Sequence, residues 1–291
     1  MFPSRRSHPM DTNIHNHRSR QAMTLTANPA SLLQWLRDMW EHRDVIGMLA
    51  RKDFQVRYKR AVLGVLWAIA LPLLQASVMA FVFSKVLKNL PQAQYSYGGY
   101  VLAGVLAWNY LVSTLSLAST SIVDGSGLTE KVWFPRAVLA IVPSITNLIG
   151  LIVSLVIMIG LMPLVGASYT PHLVLLVPGV VLLVAFVTAL GLCLSALHVY
   201  FRDVRYVVTA GLLVWFYVTP ILYPAALLGG FDKWLQLNPM GGIAALFQRA
   251  VIGSDIPIGK PLIVSIVTTF VLAVIAVLVH RRYDRLFADL L

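Results

Sequence analysis

The chain has 291 residues, of which 58% are hydrophobic and only 12% charged, against roughly 25% charged in an ordinary soluble domain. With a mean hydropathy of +0.76 and its charges set between a few long apolar runs, this composition excludes a water-soluble globule and points to an integral membrane protein. The lone Cys193 excludes an internal disulfide framework, and the net charge of +11 needs no nucleic acid to explain it, because 11 of the 23 Lys and Arg stand in the first 60 positions, ahead of the first apolar run.

Residues 1–28 hold His8, His15 and His17 among Asn, Ser and Arg. Such a segment is too poor in large apolar groups to pack, so a disordered tail is expected there and no metal site. From Ser31 the texture changes. Leu32, Trp35, Leu36, Met39 and Trp40 repeat at the i, i+3, i+4, i+7, i+8 spacing of one helical face. Ser31 with Gln34 makes a capping-box start, and the two Trp favour a helix lying in the headgroup plane. This amphipathic interfacial helix and the basic stretch after it make up residues 29–60, with Arg51, Lys52, Arg57, Lys59 and Arg60 just ahead of the membrane. The plain reading of those cations is anchorage to lipid phosphates, and the sharper one is a docking site for a lipid pyrophosphate.

A helix needs about 20 residues to cross the hydrocarbon layer. Residues 61–83, 98–122, 137–165, 173–197 and 261–279 qualify, each free of Asp, Glu, Lys, Arg and His, and the aromatic-rich run 206–223 makes a sixth span. Continuous apolar runs exclude a barrel of short alternating strands. Pro72, Pro143 and Pro178 inside them predict kinks and not breaks. The fold class is therefore an all-α, six-span membrane domain over residues 61–291. Six spans put both termini on one side, and that side carries 18 of the 23 Lys and Arg, so the termini are cytoplasmic. Between the fifth and sixth spans, 225–253 is too polar to cross and too apolar to float. Gly229, Gly230 and the turn Asn238-Pro239-Met240 allow sharp reversals, so two short re-entrant helices forming an outer gate are expected, with Asn as cap and Pro in the first helical turn.

No ionisable side chain lies inside a span, which argues against ion or proton coupling. No GxxxxGK[ST] phosphate loop is present either, so energy for uphill transport would come from another polypeptide. For the paired carboxylates or metal cluster of a membrane transferase only Asp124, Glu130 and Asp203 offer themselves, and they are sparse.

Four segments now stand out in order: residues 51–67 (RKDFQVRYKRAVLGVLW), residues 128–135 (LTEKVWFP), Tyr200-Phe-Arg-Asp-Val204, and Asn238-Pro-Met240. Over about residues 31–291 the chain closely resembles the membrane (permease) subunits of ABC exporters for cell-surface polysaccharides, of the O-antigen, teichoic-acid and capsule or galactan type. It departs from the family pattern at Ala61, where Ser or Thr is expected before the Leu-Gly pair, and at Ser126-Gly127, where Asn is frequent. The resemblance implies a non-enzymatic transport subunit of the cytoplasmic (inner) membrane, a homodimer joined to two copies of a cytoplasmic ATPase that binds ATP and Mg.

It also implies roles for residues. The ATPase would grip the interfacial helix and the loop at 123–135, with Asp53, Glu130, Lys131, Trp133, Phe134, Pro135 and Arg136 at the contact. A lipid-linked polysaccharide would meet Arg51 to Arg60 and pass between spans one and five, along Trp67, Trp215, Tyr217 and Tyr223, whose ring faces suit sugar C–H groups without gripping them. Without the family, Trp133 and Phe134 read equally well as an aromatic belt. Two other functions remain open at this point. An exporter of a small amphiphile would be stimulated by hydrophobic compounds, and a transferase acting on polyprenyl phosphate would turn over without any ATPase.

Overall fold

A computed structural model describes residues 31–59, 66–86, 97–129, 134–165, 168–224, 229–230, 232–253, 256 and 258–283. Regular structure among them is helical throughout. The helices are α1 (Leu32–Glu41), α2 (Arg43–Tyr58), α3 (Trp67–Val86), α4 (Tyr97–Ala118), the single turns α5 (Ser121–Asp124) and α6 (Ser126–Thr129), α7 (Ala137–Leu161), α8 (Leu176–Tyr200), α9 (Val204–Val218), the single turn α10 (Asp232–Leu235), α11 (Pro239–Ile252) and α12 (Gly259–Tyr283). The expected tail at 1–28, Arg60, Glu130, Lys131, Trp133 and positions 225–228 lie outside the described residues.

Helix α4 is the axis of the bundle. Its apolar window is 72% buried, against 39%, 33% and 17% for those of α7, α8 and α12, and α3, α7, α8, α9 and α11 pack around it. Small residues permit this crowding. A Cβ on Gly104 would stand 3.0 Å from Ile221 Cγ2 and 3.1 Å from the Gln248 amide, and one on Gly191 of α8 would stand 2.9 Å from Ala118 Cβ. The outer helices instead expose large apolar side chains, such as Leu71 and Leu74 on α3, Leu213 and Val214 on α9, and Ile263 and Phe270 on α12. Apolar surface of that extent belongs against lipid or another protein.

Four helical segments among the described residues are long and apolar enough to cross a membrane: Tyr97–Ala118, Ala137–Leu161, Pro171–Tyr200 and Gly259–Arg282, with shorter apolar runs at Ala70–Met79 and Val204–Val218. The expected span at 206–223 is a helix only as far as Val218, because Pro220 lacks the N–H that would continue it. The carbonyls left over are not orphaned. Tyr100 Oη donates to Pro220 O at 2.9 Å and to Tyr223 O at 3.1 Å, Gln248 Nε2 donates to Pro220 O at 3.0 Å, and Tyr97 Oη donates to Leu222 O at 2.6 Å. Helices α3 and α7 run through Pro72 and Pro143 without a break. Pro178 falls in the first turn of α8, where no intrahelical N–H is lost, so no kink is required of it.

Helix α1 starts at the capping box read from the sequence, with Ser31 Oγ accepting from Gln34 N at 3.2 Å and Gln34 Oε1 accepting from Ser31 N at 3.0 Å. Its two Trp part company. Trp40 is 70% exposed, while Trp35 is buried beside Leu192 and among Ala137, Ala140 and Ala276, whose small side chains leave room for an indole, so that it pins α1 to the bundle.

Candidate functional site

Two constructions join elements far apart in sequence, and the first is a knot around Asn238. Asn238 caps α11, accepting at Oδ1 from Met240 N at 3.0 Å, and the same oxygen accepts from Trp215 Nε1 at 2.9 Å. Its Nδ2 donates to Thr219 Oγ1 at 3.0 Å and to Val218 O at 3.4 Å. One amide therefore starts α11, closes the frayed end of α9 and satisfies a half-buried indole. Helix α11 is buried nearly all round, from Met240 to Gln248 and again at Ala250 and Val251, against α4, α8 and α12. Gly229 and Gly230, by contrast, are exposed, and Gly229 has a φ of +53° that suits glycine alone. The Asn cap and first-turn Pro are as the sequence indicated.

This burial makes a direct expectation. In a Cys193→Ala background and in detergent, a cysteine replacing Leu246, which is 3% exposed, should resist a polar maleimide, whereas one replacing Trp234, 72% exposed, should label readily. Equal labelling would contradict an interior α11.

The second construction is a cleft of about 500 Å³ between α3, α4 and α7, lined by apolar groups such as Leu71, Leu106 and Leu151 and, among them, by Arg57, Trp67, Gln75, Asn109, Ser113, Thr146, Asn147 and Ser154. Arg57 Nη1 donates to Asn147 Oδ1, and its Nη2 donates to Asp53 Oδ2 at 3.2 Å. Asn147 Nδ2 passes the chain on to Thr114 Oγ1 at 3.1 Å, and Asn109 Nδ2 donates to Gln75 Oε1 at 3.3 Å.

Helical spacing explains why Arg57 differs from its basic neighbours. Asp53 and Arg57 are four residues apart on the face of α2 that packs along α7, and Arg57, though exposed like Arg51, Lys52 and Lys59, reaches across to Asn147 of α7. The run read as one patch is thus two surfaces, and Asp53 stands beside Arg57 as its positioning partner.

The third region is the start of α7. Phe134 is buried with Ile46 and Ala50 of α2 and with Val138, Leu139 and Val142 of α7. Pro135 is buried beside it, and Arg136 is half-buried at the helix start. Phe134 therefore fills the seam between α2 and α7.

Residues 44–249 match the ABC-2 type transporter membrane family. The chain belongs to that family. It is 29% identical over 235 residues to the O-antigen export system permease protein RfbA of Myxococcus xanthus, covering 79% of this chain and 89% of that one. A permease of the same name from Klebsiella pneumoniae is 24% identical over 255 residues, covering 85% and 95%.

In this ABC-2 permease the four aromatics expected along a conduit are not equivalent. Trp67 and Tyr217 are 42% and 62% exposed. Tyr223 is half-buried and donates its hydroxyl to Tyr217 O at 2.6 Å. Trp215 packs against the chain's own helices, edge-on to Trp108 at 5.9 Å between ring centroids and to Phe186 at 6.2 Å.

Reading the spans for ionisable groups alone passed over their carboxamides. Gln75, Asn109 and Asn147 are the Asn and Gln side chains of the runs 61–83, 98–122 and 137–165, one in each, and the runs 173–197, 206–223 and 261–279 have none. That pattern was the available signal.

Proposed function

We propose that this chain is the permease half of an ATP-driven exporter that moves a lipid-linked polysaccharide across the cytoplasmic membrane, with ATP and Mg bound in a separate cytoplasmic subunit. The observation that carries the reading is the similarity to O-antigen export permeases over 89% and 95% of their length. The absence of any phosphate loop in the chain fits an external energy source.

On this reading α3, α4, α7, α8, α9 with its non-helical extension, and α12 are six spans, both termini are cytoplasmic, and two copies pair through exposed apolar faces such as that of α9. The residues 225–253 form the outer gate, in which α11 is the buried part and Gly229 and Gly230 lie exposed. Helix α1 lies at the inner interface.

The ATPase contacts fall on the loop at 123–136, with Glu130, Lys131, Trp133 and Arg136 as the groups it touches. Phe134 acts one step behind them. Buried between α2 and α7, it transmits displacement of the loop to both helices, because close-packed side chains pass strain on rather than absorb it. Arg51, Lys52, Lys59 and Arg60 attract the anionic carrier lipid to the inner leaflet, and Arg57 receives its pyrophosphate.

The test is neutralisation of Arg51, Arg57 and Arg60 to Gln. Fifteen cytoplasmic Lys and Arg remain against five outside, so topology should hold. Loss of a charge-assisted hydrogen bond costs about 1.5–3 kcal/mol, a roughly ten- to hundredfold loss of affinity. Surface polymer should fall by about tenfold or more while the ATPase still copurifies. Normal surface polymer in correctly oriented triple mutant would show that these cations are anchors only.

A further inference from the structure

The cleft between α3, α4 and α7 is chemically odd for a membrane protein. Intramembrane polar side chains are costly unless they pair or serve a function, and the only Asn and Gln of six apolar runs converge here from three separate helices. Mutual pairing does not use them up. A carboxamide offers two N–H donors and two acceptor lone pairs, while Gln75 and Asn109 share a single bond of 3.3 Å. Asn147 is held by Arg57 on one side and Thr114 on the other, so its amide is oriented rather than free to turn.

Depth and composition specify what fits. Gln75 is eight residues from the start of α3, Asn109 nine from the end of α4 and Asn147 ten from the start of α7. At 1.5 Å per residue all three lie about 12–15 Å along their helices from those ends, at a level that the Arg57 guanidinium reaches, since it bonds Asn147. A lipid tail would not need these groups, and an inorganic ion would not need 500 Å³. A sugar ring matches them. Its hydroxyls both donate and accept, as carboxamides do, and its C–H faces stack on an indole such as that of Trp67 in the lining.

We infer that this cleft binds the hexose unit adjoining the carrier's pyrophosphate, with Gln75, Asn109 and Asn147 on the sugar hydroxyls, Trp67 against its ring face, and Arg57 on the phosphates. The inference rests on the exporter reading above and locates recognition between spans one, two and three rather than between one and five. Asp53 has a part in it as the positioning partner that aims Arg57.

The experiment measures binding of two synthetic probes, farnesyl pyrophosphate and farnesyl-pyrophosphoryl glucose, to the full-length permease with its ATPase in nanodiscs containing phosphatidylglycerol. The wild type should bind the glycosylated probe about tenfold more tightly, the contribution of two or more neutral hydrogen bonds. Gln75→Leu combined with Asn109→Leu should reduce that preference to within about twofold, and Trp67→Leu, at an exposed position, should lower it independently. Arg57→Gln should weaken both probes alike. Copurification of the ATPase with each variant reports folding. An equal affinity of the wild type for both probes, or an undiminished preference in the double variant and in Trp67→Leu, would overturn the inference. In that event surface polymer that still depends on the chain would leave the exporter reading standing. Failure of both probes to bind, with polymer independent of the chain, would remove both.

Discussion

Gly242→Ala is expected to destabilise the permease by about 3 kcal/mol, the upper end of the usual overpacking penalty. A Cβ at this position would run into the Pro261 carbonyl and come within 2.5 Å of Ser265 Oγ. The first is backbone and cannot swing away. Ser265 is also fixed, donating to Pro239 O at 2.5 Å and to Pro261 O at 2.9 Å. Helices α11 and α12 would have to move apart by nearly 1 Å to restore an ordinary contact, opening the packing that surrounds α11 on every side. Gly211→Ala on α9 is the matched control, since nothing lies within 4 Å of its missing Cβ. Thermal unfolding in detergent should show a clear drop for Gly242→Ala and none for Gly211→Ala. Equal melting of the two would place α11 elsewhere.

Asn238→Ala should be nearly as damaging. It removes the N-cap of α11 and leaves the Trp215 indole without its acceptor, which together cost about 2–4 kcal/mol. Because the carboxamide also holds Thr219, the end of α9 should loosen with it. A double-mutant cycle isolates the central bond. Trp215→Phe deletes the donor, so Asn238→Ala should cost about 1–2 kcal/mol less in that background. Strict additivity would mean that the 2.9 Å contact between Trp215 Nε1 and Asn238 Oδ1 contributes nothing.

The elements legible in the sequence were those with a local physical cause. Ser31 and Gln34 cap α1 through bonds three residues apart, Asn238 and Pro239 start α11 by the same logic, and α4, α7, α8 and α12 follow from apolar length alone. What stayed hidden depends on neighbours distant in the chain. A helix apolar on all sides can face lipid or protein, so nothing local marks α11 as interior. Nor does anything local mark Trp215, one of the expected conduit aromatics, as the indole whose N–H the Asn238 oxygen, 23 residues on, accepts.

The candidate site shows the same division. The basic character of residues 51–60 was plain, but only the packing of α2 along α7 separates Arg57 from Arg51, Lys52 and Lys59. Phe134 and Asp53 were assigned to the ATPase contact from the family pattern, and the structure places one in the α2–α7 seam and the other beside Arg57. The three carboxamides carry no motif of their own. Their meaning comes from convergence, which a linear reading does not display.

The exporter account is tested most directly by deleting the chain from its host and following lipid-linked polymer in membranes and at the surface. Surface polysaccharide should disappear, polymer still attached to its carrier should accumulate on the cytoplasmic face, and re-expression of the wild-type chain, but not of Arg57→Gln, should restore export. Unchanged surface polysaccharide, with no accumulation inside, would contradict the account.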